Sequence, residues 1–276
     1  MEFKLGDRLI GPGQPCYVIA EVGLAHDGSL ALAHEYIDAC SHAGVDAVKF
    51  QCHLGDTGTE WRTRKLWRNE TRQEYWHRTG FTSKQWVHLW SHCSDRRVDF
   101  VCSVFSLEAF RLIDPLVNLH KVPSGRIADM PLHHAIRNTG KPVFVSNGMA
   151  TFDEIRAAIE AYGKSGKVLI MDCVSEYPTS PEHIGLWSAM EGLSDHSGTI
   201  YPGIAAVALG CQVLEVHVCW SKEQGGFDTA ASLDMGQLRQ LVEGVRFVEK
   251  AMQRVDKNAM AKELAETRRV FMGSNA

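Results

Sequence analysis

The feature that most constrains the fold is an alternation of short apolar runs with longer amphipathic stretches. Eight runs are short enough for β-strands, and they lie at residues 16–20, 47–51, 99–102, 119–122, 142–146, 168–172, 192–194 and 212–218. Continuously apolar strands that alternate with helices indicate a parallel sheet covered by helices. Eight such units predict an α/β protein that closes into a (β/α)8 or TIM barrel.

The stretches between the runs carry apolar residues three and four positions apart, as amphipathic helices do. Helices are predicted at 30–43, 84–96, 107–116, 132–138, 152–162, 182–190, 202–209 and 235–255. Ser83, Ser106, Thr151 and Ser180 stand at the expected N-cap positions, and Thr151 with Glu154 fits a capping box.

A chain of 276 residues fits a single barrel of this kind. Residues 1–15 are expected to form a short N-terminal β-hairpin, residues 16–256 the barrel and residues 257–276 a C-terminal tail. An open doubly wound sheet is the alternative, but no G-x-G-x-x-G follows the first strand. The connection 52–82 breaks the regular rhythm with several tryptophans and arginines, which favours a lid or substrate wall.

Charge and composition exclude several classes of function. The formal net charge is −4 without a basic block, so no nucleic-acid partner is expected. No apolar run approaches the roughly 20 residues of a membrane span, and the N-terminus lacks a signal sequence. The eight cysteines contain no C-x-x-C pair and read as reduced thiols, so we expect a cytoplasmic protein.

Polar residues end nearly every predicted strand, and in a barrel these ends meet on one face. They are Glu21, Lys49, Gln51, Ser103, Lys121, Ser124, Ser146, Asn147, Asp172, Ser175, Tyr177, Ser194, His196, Glu215 and His217. A few such residues are common in structural barrels, whereas a full ring indicates a site.

The chemistry of this ring indicates two neighbouring subsites. Lys121 with the strand-end serines, and Lys49 as a second cation, are equipped to hold a phosphate. His196 and His217 follow consecutive strands, so their imidazoles are expected side by side, which suits a divalent transition metal. Glu21 and Asp228 are candidates for completing the metal shell or moving a proton.

The chain resembles the sialic acid (N-acetylneuraminate) synthase family, whose members condense phosphoenolpyruvate with an aldehyde. The matching runs include Val-Ile-Ala-Glu-Val-Gly from Val18, Asp-Ala-Val-Lys-Phe-Gln from Asp46, Lys-Val-Pro-Ser-Gly from Lys121, Ser-Asn-Gly-Met-Ala-Thr from Ser146, Cys-Val-Ser-Glu-Tyr-Pro-Thr from Cys173, Leu-Ser-Asp-His-Ser from Leu193 and Leu-Glu-Val-His from Leu214. They cover about residues 16 to 250 in the family's order.

The resemblance implies a barrel in which His196 and His217 bind Mn²⁺, with Mg²⁺ or Co²⁺ as alternatives. It implies that phosphoenolpyruvate is held by Lys49, Ser103, Lys121, Ser124, Ser146, Ser175 and Ser194. It also implies attack of phosphoenolpyruvate C3 on the aldehyde of an open-chain sugar, addition of water at C2 and loss of phosphate. A homodimer is one candidate assembly, because the family's subunits exchange a domain.

The chain departs from the family in four places. Arg126 stands where the family has Glu, Ala25-His26 replaces Asn-His, and Gly225-Gly226-Phe227-Asp228 replaces Pro-Gly-Pro-Asp. The family's C-terminal antifreeze-like domain would begin near the last residues given. Arg126 and the arginine-rich connection 52–82 predict an altered acceptor, anionic or otherwise unusual. Whether Glu21, His26 or Arg126 handles the proton is left open.

Two other classes of function are kept as alternatives. Arg126 has displaced a carboxylate, and this change of charge leaves a different reaction open. A TIM-barrel lyase or isomerase acting on a phosphorylated or carboxylated substrate would use the same phosphate-binding residues. A non-catalytic binding subunit is disfavoured, since Lys121, His196, His217 and Asp228 are all present.

Overall fold

Eight parallel strands close into a barrel in the computed structural model, which describes residues 2–54, 70–163, 167–186 and 191–272. The barrel strands are β3 (Tyr17–Gly23), β4 (Ala47–Cys52), β5 (Asp99–Val104), β6 (His120–Val122), β7 (Val143–Ser146), β8 (Val168–Cys173), β9 (Gly192–Asp195) and β10 (Val213–His217). They follow chain order around the barrel, and β10 pairs in parallel with both β9 and β3. The predicted TIM barrel is confirmed.

Helices alternate with the strands and cover the barrel. They are α1 (Leu30–Ala43), α2 (Arg72–Thr79), α3 (Ser83–Asp95), α4 (Leu107–Ile113), α5 (Met130–Arg137), α6 (Phe152–Tyr162), α7 (Pro181–Ile184), α8 (Tyr201–Ala208), α9 (Met235–Ala251), α10 (Lys257–Glu263) and α11 (Ala265–Met272). The predicted bounds of α1 and α6 are met residue for residue. The helices α10 and α11 occupy the segment that was expected to be a tail.

Most of the other predicted helix termini differ from the prediction by one to several residues, and two of these differences have a clear local cause. The N-cap of α3 is Thr82, which forms a capping box with Gln85, so Ser83 is the first helical residue instead. The helix expected at 182–190 is described only over α7, and it ends at Gly185 in the left-handed conformation with φ of 74°. A left-handed residue satisfies the last carbonyls of a helix and prevents its continuation.

The barrel interior is layered along the strand direction, and this layering positions the polar ring. Alternate residues of each strand point inward, and the lower interior is apolar, with Tyr17, Ile19 and Ala47 among its members. A hairpin of β1 (Phe3–Leu5) and β2 (Arg8–Ile10) closes this end, where Phe3 packs on Phe144 at 6.1 Å between ring centroids. The next inward position on each strand lies one layer higher, towards the C-terminal face.

Part of the 52–82 connection is described. Residues 55–69, which include Trp61, Trp67 and three of its arginines, lie outside the described residues. The described part contains α2, where Arg78 forms ion pairs with Asp27 and Glu70. No helix among the described residues is long and apolar enough to cross a membrane.

We predict that the fold loses stability in mild acid because two buried histidines resist protonation. Burial lowers the pKa of His26 to about 3 and that of His120 to about 4. The unfolded chain takes up these protons below about pH 6.5, so each histidine should remove about 2 kcal/mol of unfolding free energy at pH 5. The stabilising effect is complete above pH 6.5 and is lost as the pH falls towards the folded-state values.

The measurement is urea denaturation between pH 7.5 and 4.5. His120→Gln should reduce the loss of unfolding free energy between pH 7.5 and 4.5, because glutamine does not titrate. His88→Gln, on the exposed face of α3, should leave this loss unchanged. A slope that is the same in His120→Gln and in the wild type would contradict the prediction.

Candidate active site

The predicted strand-end residues converge at the C-terminal end of the barrel interior. Fully buried members are Glu21, Lys49, Ser103, Lys121, Ser146, Ser194, His196, Glu215 and His217. Gln51, Ser124, Asn147 and Ser175 are partly exposed and surround them. Charged groups are rarely buried without partners, so the buried lysines and glutamates are expected to pair with one another.

Two lysines and two carboxylates form the centre of the site. The Lys49 ammonium lies 2.8 Å from Glu21 Oε2 and donates to Ser103 Oγ at 2.9 Å. Lys121 donates to Ser146 Oγ at 2.7 Å. Glu215 lies between the two lysines, with one carboxylate oxygen 3.5 Å from the Lys49 ammonium and the other 3.6 Å from that of Lys121.

The lysines differ in their electrostatic surroundings. Burial opposes the charge of Lys49, but Glu21 and Glu215 outweigh it and raise its pKa above the ordinary value. Burial lowers the pKa of Lys121, Glu215 offsets this effect only in part, and Lys49 adds a smaller lowering contribution. Burial alone would favour neutral Glu215, yet Lys121 and Lys49 hold its pKa below the ordinary value. Lys121 is therefore the ammonium that gains most from an additional anion.

His196 and His217 lie side by side as predicted, with ring centroids 5.3 Å apart. The Nδ1 of His196 donates to the Val174 carbonyl at 2.7 Å, which leaves Nε2 as the acceptor in the neutral ring. That Nε2 faces the Tyr177 hydroxyl at 3.2 Å and Ser194 Oγ at 3.4 Å. Burial, followed by the neighbouring His217, lowers the pKa of His196 to about 3, so the ring stays neutral.

The imidazole pair fits a transition metal in its donor chemistry. A neutral ring whose second nitrogen is fixed by a carbonyl is the usual state of a histidine ligand. The nearest carboxylate oxygen described is that of Asp228, 3.8 Å from His217 Nδ1. Within the described ranges, no three His, Cys, Asp or Glu side chains already form a complete ligand set. The pair thus offers two candidate ligands, and further donors would have to come from Asp228, water or substrate.

The serines and amides of the β6, β7 and β8 ends close one side of the site. Ser124 and Ser175 are in hydrogen-bond contact at 3.1 Å between their hydroxyl oxygens. Asn147 donates to Asp172 at 2.7 Å and accepts from the Cys173 amide at 3.1 Å, so its amide is fixed. A side chain at Gly148 would meet Ser175 Oγ at 2.5 Å, so the close approach of the Gly148 backbone to Ser175 requires glycine.

The other predicted site residues lie near the rim. Gln51 donates to Glu21 Oε1 at 2.7 Å. Arg126 ends a short 3-10 helix that starts at Ser124, half-exposed, and its catalytic role stays a prediction. His26 does not face the barrel interior, because it packs between the barrel and the helices and stacks on Phe81 at 4.5 Å. This position makes His26 a structural residue rather than a proton carrier.

Sequence reasoning missed the roles of two residues. Glu215 stood only in the list of strand-end residues, although its place two positions before His217 on one strand puts both side chains inside. His53 contacts Gln51 Oε1 at 3.0 Å and stacks between Trp76 and Phe105, so it orients the amide that reaches Glu21. No spacing rule identifies such a contact, because Trp76 and Phe105 come from distant parts of the chain.

Comparison with known proteins identifies the family of this chain. The NeuB family model matches residues 36–257, which is most of the chain. The chain belongs to the NeuB family. Membership confirms the resemblance to sialic acid synthases and makes the chain an enzyme of the synthase type.

NeuB relatives include enzymes with different products. The chain is 30% identical to the N,N'-diacetyllegionaminic acid synthase of Campylobacter jejuni, over 85% of this chain and 77% of that one. It is 30% identical to the N-acetylneuraminate-9-phosphate synthase of Mus musculus, over 94% of this chain and 77% of that one. The metal and the homodimer implied by the resemblance stay predictions.

A solved NeuB-type structure supports the same architecture. The N-acetylneuraminic acid (sialic acid) synthetase from Leptospira borgpetersenii, solved with citrate, superposes with a TM-score of 0.83 at 26% identity. The match covers 99% of this chain and 98% of that one.

We predict that Glu215→Gln destabilises the protein by about 3 kcal/mol, because the change leaves the buried Lys121 ammonium without its counter-charge. Glutamine has nearly the same volume and still accepts from Ser194, so packing is kept. The measurement is the free energy of unfolding in urea at pH 7.5. Glu160→Gln on exposed α6 is the matched control and should change nothing. Equal stability of the two variants would show that the central charge network is energetically unimportant.

Proposed function

We propose that this protein is a metal-dependent synthase that condenses phosphoenolpyruvate with the aldehyde of an open-chain sugar and releases phosphate. The observation that carries the proposal is the juxtaposition, on one barrel face, of a two-lysine, multi-serine pocket with two neutral histidines. An anion holder beside a metal holder suits a reaction between a phosphorylated nucleophile and a polarised carbonyl. The names of the relatives in the family support the same reaction class.

In this proposal phosphoenolpyruvate binds at the lysines. Its phosphate and carboxylate would add negative charge where Glu215 alone now offsets Lys121, and the serine hydroxyls already bound to the lysines would donate to its oxygens. Because the ring residues are buried, these charge-assisted bonds act in a low local dielectric and hold the enol carbon in a fixed position.

His196 and His217 would hold the divalent cation, with Mn²⁺ as the first candidate and Asp228 beside them. The chemistry that such a cation supplies is polarisation of the aldehyde and stabilisation of negative charge on its oxygen. Tyr177 stacks on His196 at 4.2 Å and orients the ring. Its hydroxyl contacts His196 Nε2, the nitrogen that the cation would use, so the hydroxyl would have to turn away when the cation binds. Glu21, held by Lys49 and Gln51, is the carboxylate placed to manage a proton near the bound enol.

The reaction balances without an external oxidant or reductant. A bond forms between phosphoenolpyruvate C3 and the aldehyde carbon, the aldehyde oxygen gains a proton and water supplies the oxygen at C2. The bond between C2 and the bridging oxygen breaks, so phosphate leaves with that oxygen.

The experiment measures phosphate release from phosphoenolpyruvate labelled with ¹⁸O at the bridging position, with Mn²⁺ and a panel of aldoses. We expect release that depends on an aldose and label that is recovered in phosphate. Label retained in the organic product would contradict the proposed bond cleavage. Turnover of a single phosphorylated or carboxylated substrate, without consumption of phosphoenolpyruvate by any aldose, would favour the lyase or isomerase alternative.

Two histidine variants serve as controls for this experiment. His217→Ala should lose Mn²⁺ binding and phosphate release while its circular dichroism spectrum is unchanged. His88→Ala, on the exposed face of α3, should behave as the wild type. Full activity in His217→Ala would remove the imidazole pair from the mechanism.

A further inference from the structure

A second cavity opens beside the candidate active site. It has a volume of about 260 Å³ and lies between the loop after β3, helix α2 and the loop after β10. Asp228 lines it and also lies 3.8 Å from His217 Nδ1, so the cavity adjoins the histidine side of the site. A side chain at Gly23 would lie 3.4 Å from Glu21 and 3.7 Å from Asp228. Gly23 is therefore close both to Glu21 of the polar ring and to Asp228 of the cavity.

The cavity walls combine aromatic rings with polar groups. Tyr75, Trp220 and Phe227 supply the rings, and the centroids of Tyr75 and Phe227 are 5.7 Å apart. Gln224 fixes one wall, because it donates to the Ala25 carbonyl at 2.8 Å and accepts from the Trp220 amide at 3.0 Å. Rigid rings beside hydroxyl and carboxylate groups suit a ligand with apolar faces and hydroxyl edges, as carbohydrates have.

Phe227 is one of the positions at which this chain departs from the pattern of the family it resembles. The family has proline where this chain has Phe227, in the run that ends at Asp228. Gly225 and Gly226 precede it with φ angles of 74° and 131°, which L side chains rarely adopt. The two glycines let the loop turn so that the ring and the carboxylate face one cavity.

Charge in the cavity is negative or neutral. Its charged lining groups are the carboxylates of Asp27 and Asp228, and no Lys, Arg or His lines it within the described part of the chain. The described cations near the cavity each contact another group of the protein, which for Arg72 is the lining ring of Phe227. Arg78 binds both Glu70 and Asp27, Arg72 lies 5.6 Å from the centroid of the Phe227 ring, and the Lys222 ammonium donates to the Gly198 and Ser232 carbonyls.

We infer that this cavity receives the far end of the acceptor aldehyde, and that this end is an uncharged, hydroxyl-bearing chain rather than a phosphate ester. The inference rests on the proposed function, because it places the reacting aldehyde at His196 and His217. A terminal phosphate would bring two negative charges next to Asp228, and no Lys, Arg or His among the described lining residues is placed to receive them, so the contact is repulsive in a partly desolvated cavity. The sequence alone favoured an anionic or otherwise unusual acceptor, on the basis of Arg126 and the arginine-rich connection. The cavity favours an uncharged acceptor instead.

The test compares acceptors in pairs that differ only in a terminal phosphate: N-acetylated hexosamines and unmodified aldoses, each with its phosphate ester. The readout is phosphate release from phosphoenolpyruvate with Mn²⁺. We expect kcat/KM to be at least about tenfold higher for the unphosphorylated member of any pair that reacts. Equal or better turnover of the phosphate esters would overturn the inference while the synthase function stands. Release with no aldehyde at all would overturn the proposed function.

Two variants test the cavity itself. Phe227→Ala should raise the acceptor KM at least about fivefold while the KM for phosphoenolpyruvate is unchanged, and Tyr201→Ala on the exposed start of α8 is the matched control. Asp27→Asn, which keeps a residue type that tolerates the positive φ of 52°, should shift the acceptor ratio towards the phosphate ester. An acceptor KM that is the same in Phe227→Ala, in Tyr201→Ala and in the wild type would exclude the cavity from the acceptor site.

Discussion

The carboxylate of Glu215, buried between the ammonium groups of Lys49 and Lys121, is the interaction on which the rest of the site depends. Two lysines that are only 2% exposed repel each other unless an anion lies near both. Glu215 meets this requirement in the absence of substrate, and Glu21 adds a second carboxylate at Lys49. The site is thus electrically balanced before substrate binds, with Lys121 as its less compensated member.

The barrel supplies this arrangement through its layers. Each strand contributes inward residues at alternate positions, so the next inward position after Ile19 and after Val213 brings Glu21 and Glu215 into the polar ring. Across the β3–β10 pair, Glu215 lies opposite Ile19 and Glu21 lies opposite His217. Parallel pairing of β9, β10 and β3 then places the histidines next to these carboxylates. The histidines of β9 and β10 are linked to the lysines of β4 and β6 through Glu215 on β10 and through Glu21 on β3, the strand between β10 and β4. The loops after β3 and β10 line the second cavity on the same face.

The sequence was sufficient for the architecture and for the membership of the ring. Strand period and helix period differ, so eight apolar runs with helices between them determine a barrel, and the barrel determines which strand ends meet. The pairing within the ring was not predictable in the same way. That Glu215 neutralises both lysines, or that His53 fixes Gln51, depends on side-chain directions across several strands. His26 shows the converse, because its place in the first βα loop suggested chemistry while its ring lies among Phe50 and Phe81.

The most direct test of the proposed anion site at Lys49, Lys121 and Glu215 is calorimetric measurement of phosphoenolpyruvate binding to the metal-free protein. If the site is as described, Lys121→Met should weaken binding about a hundredfold, as expected for the loss of charge-assisted bonds worth about 3 kcal/mol, while Lys250→Met on the exposed face of α9 should bind like the wild type. Equal affinity of Lys121→Met and the wild type would contradict the account, because phosphoenolpyruvate would then bind somewhere other than at the two lysines.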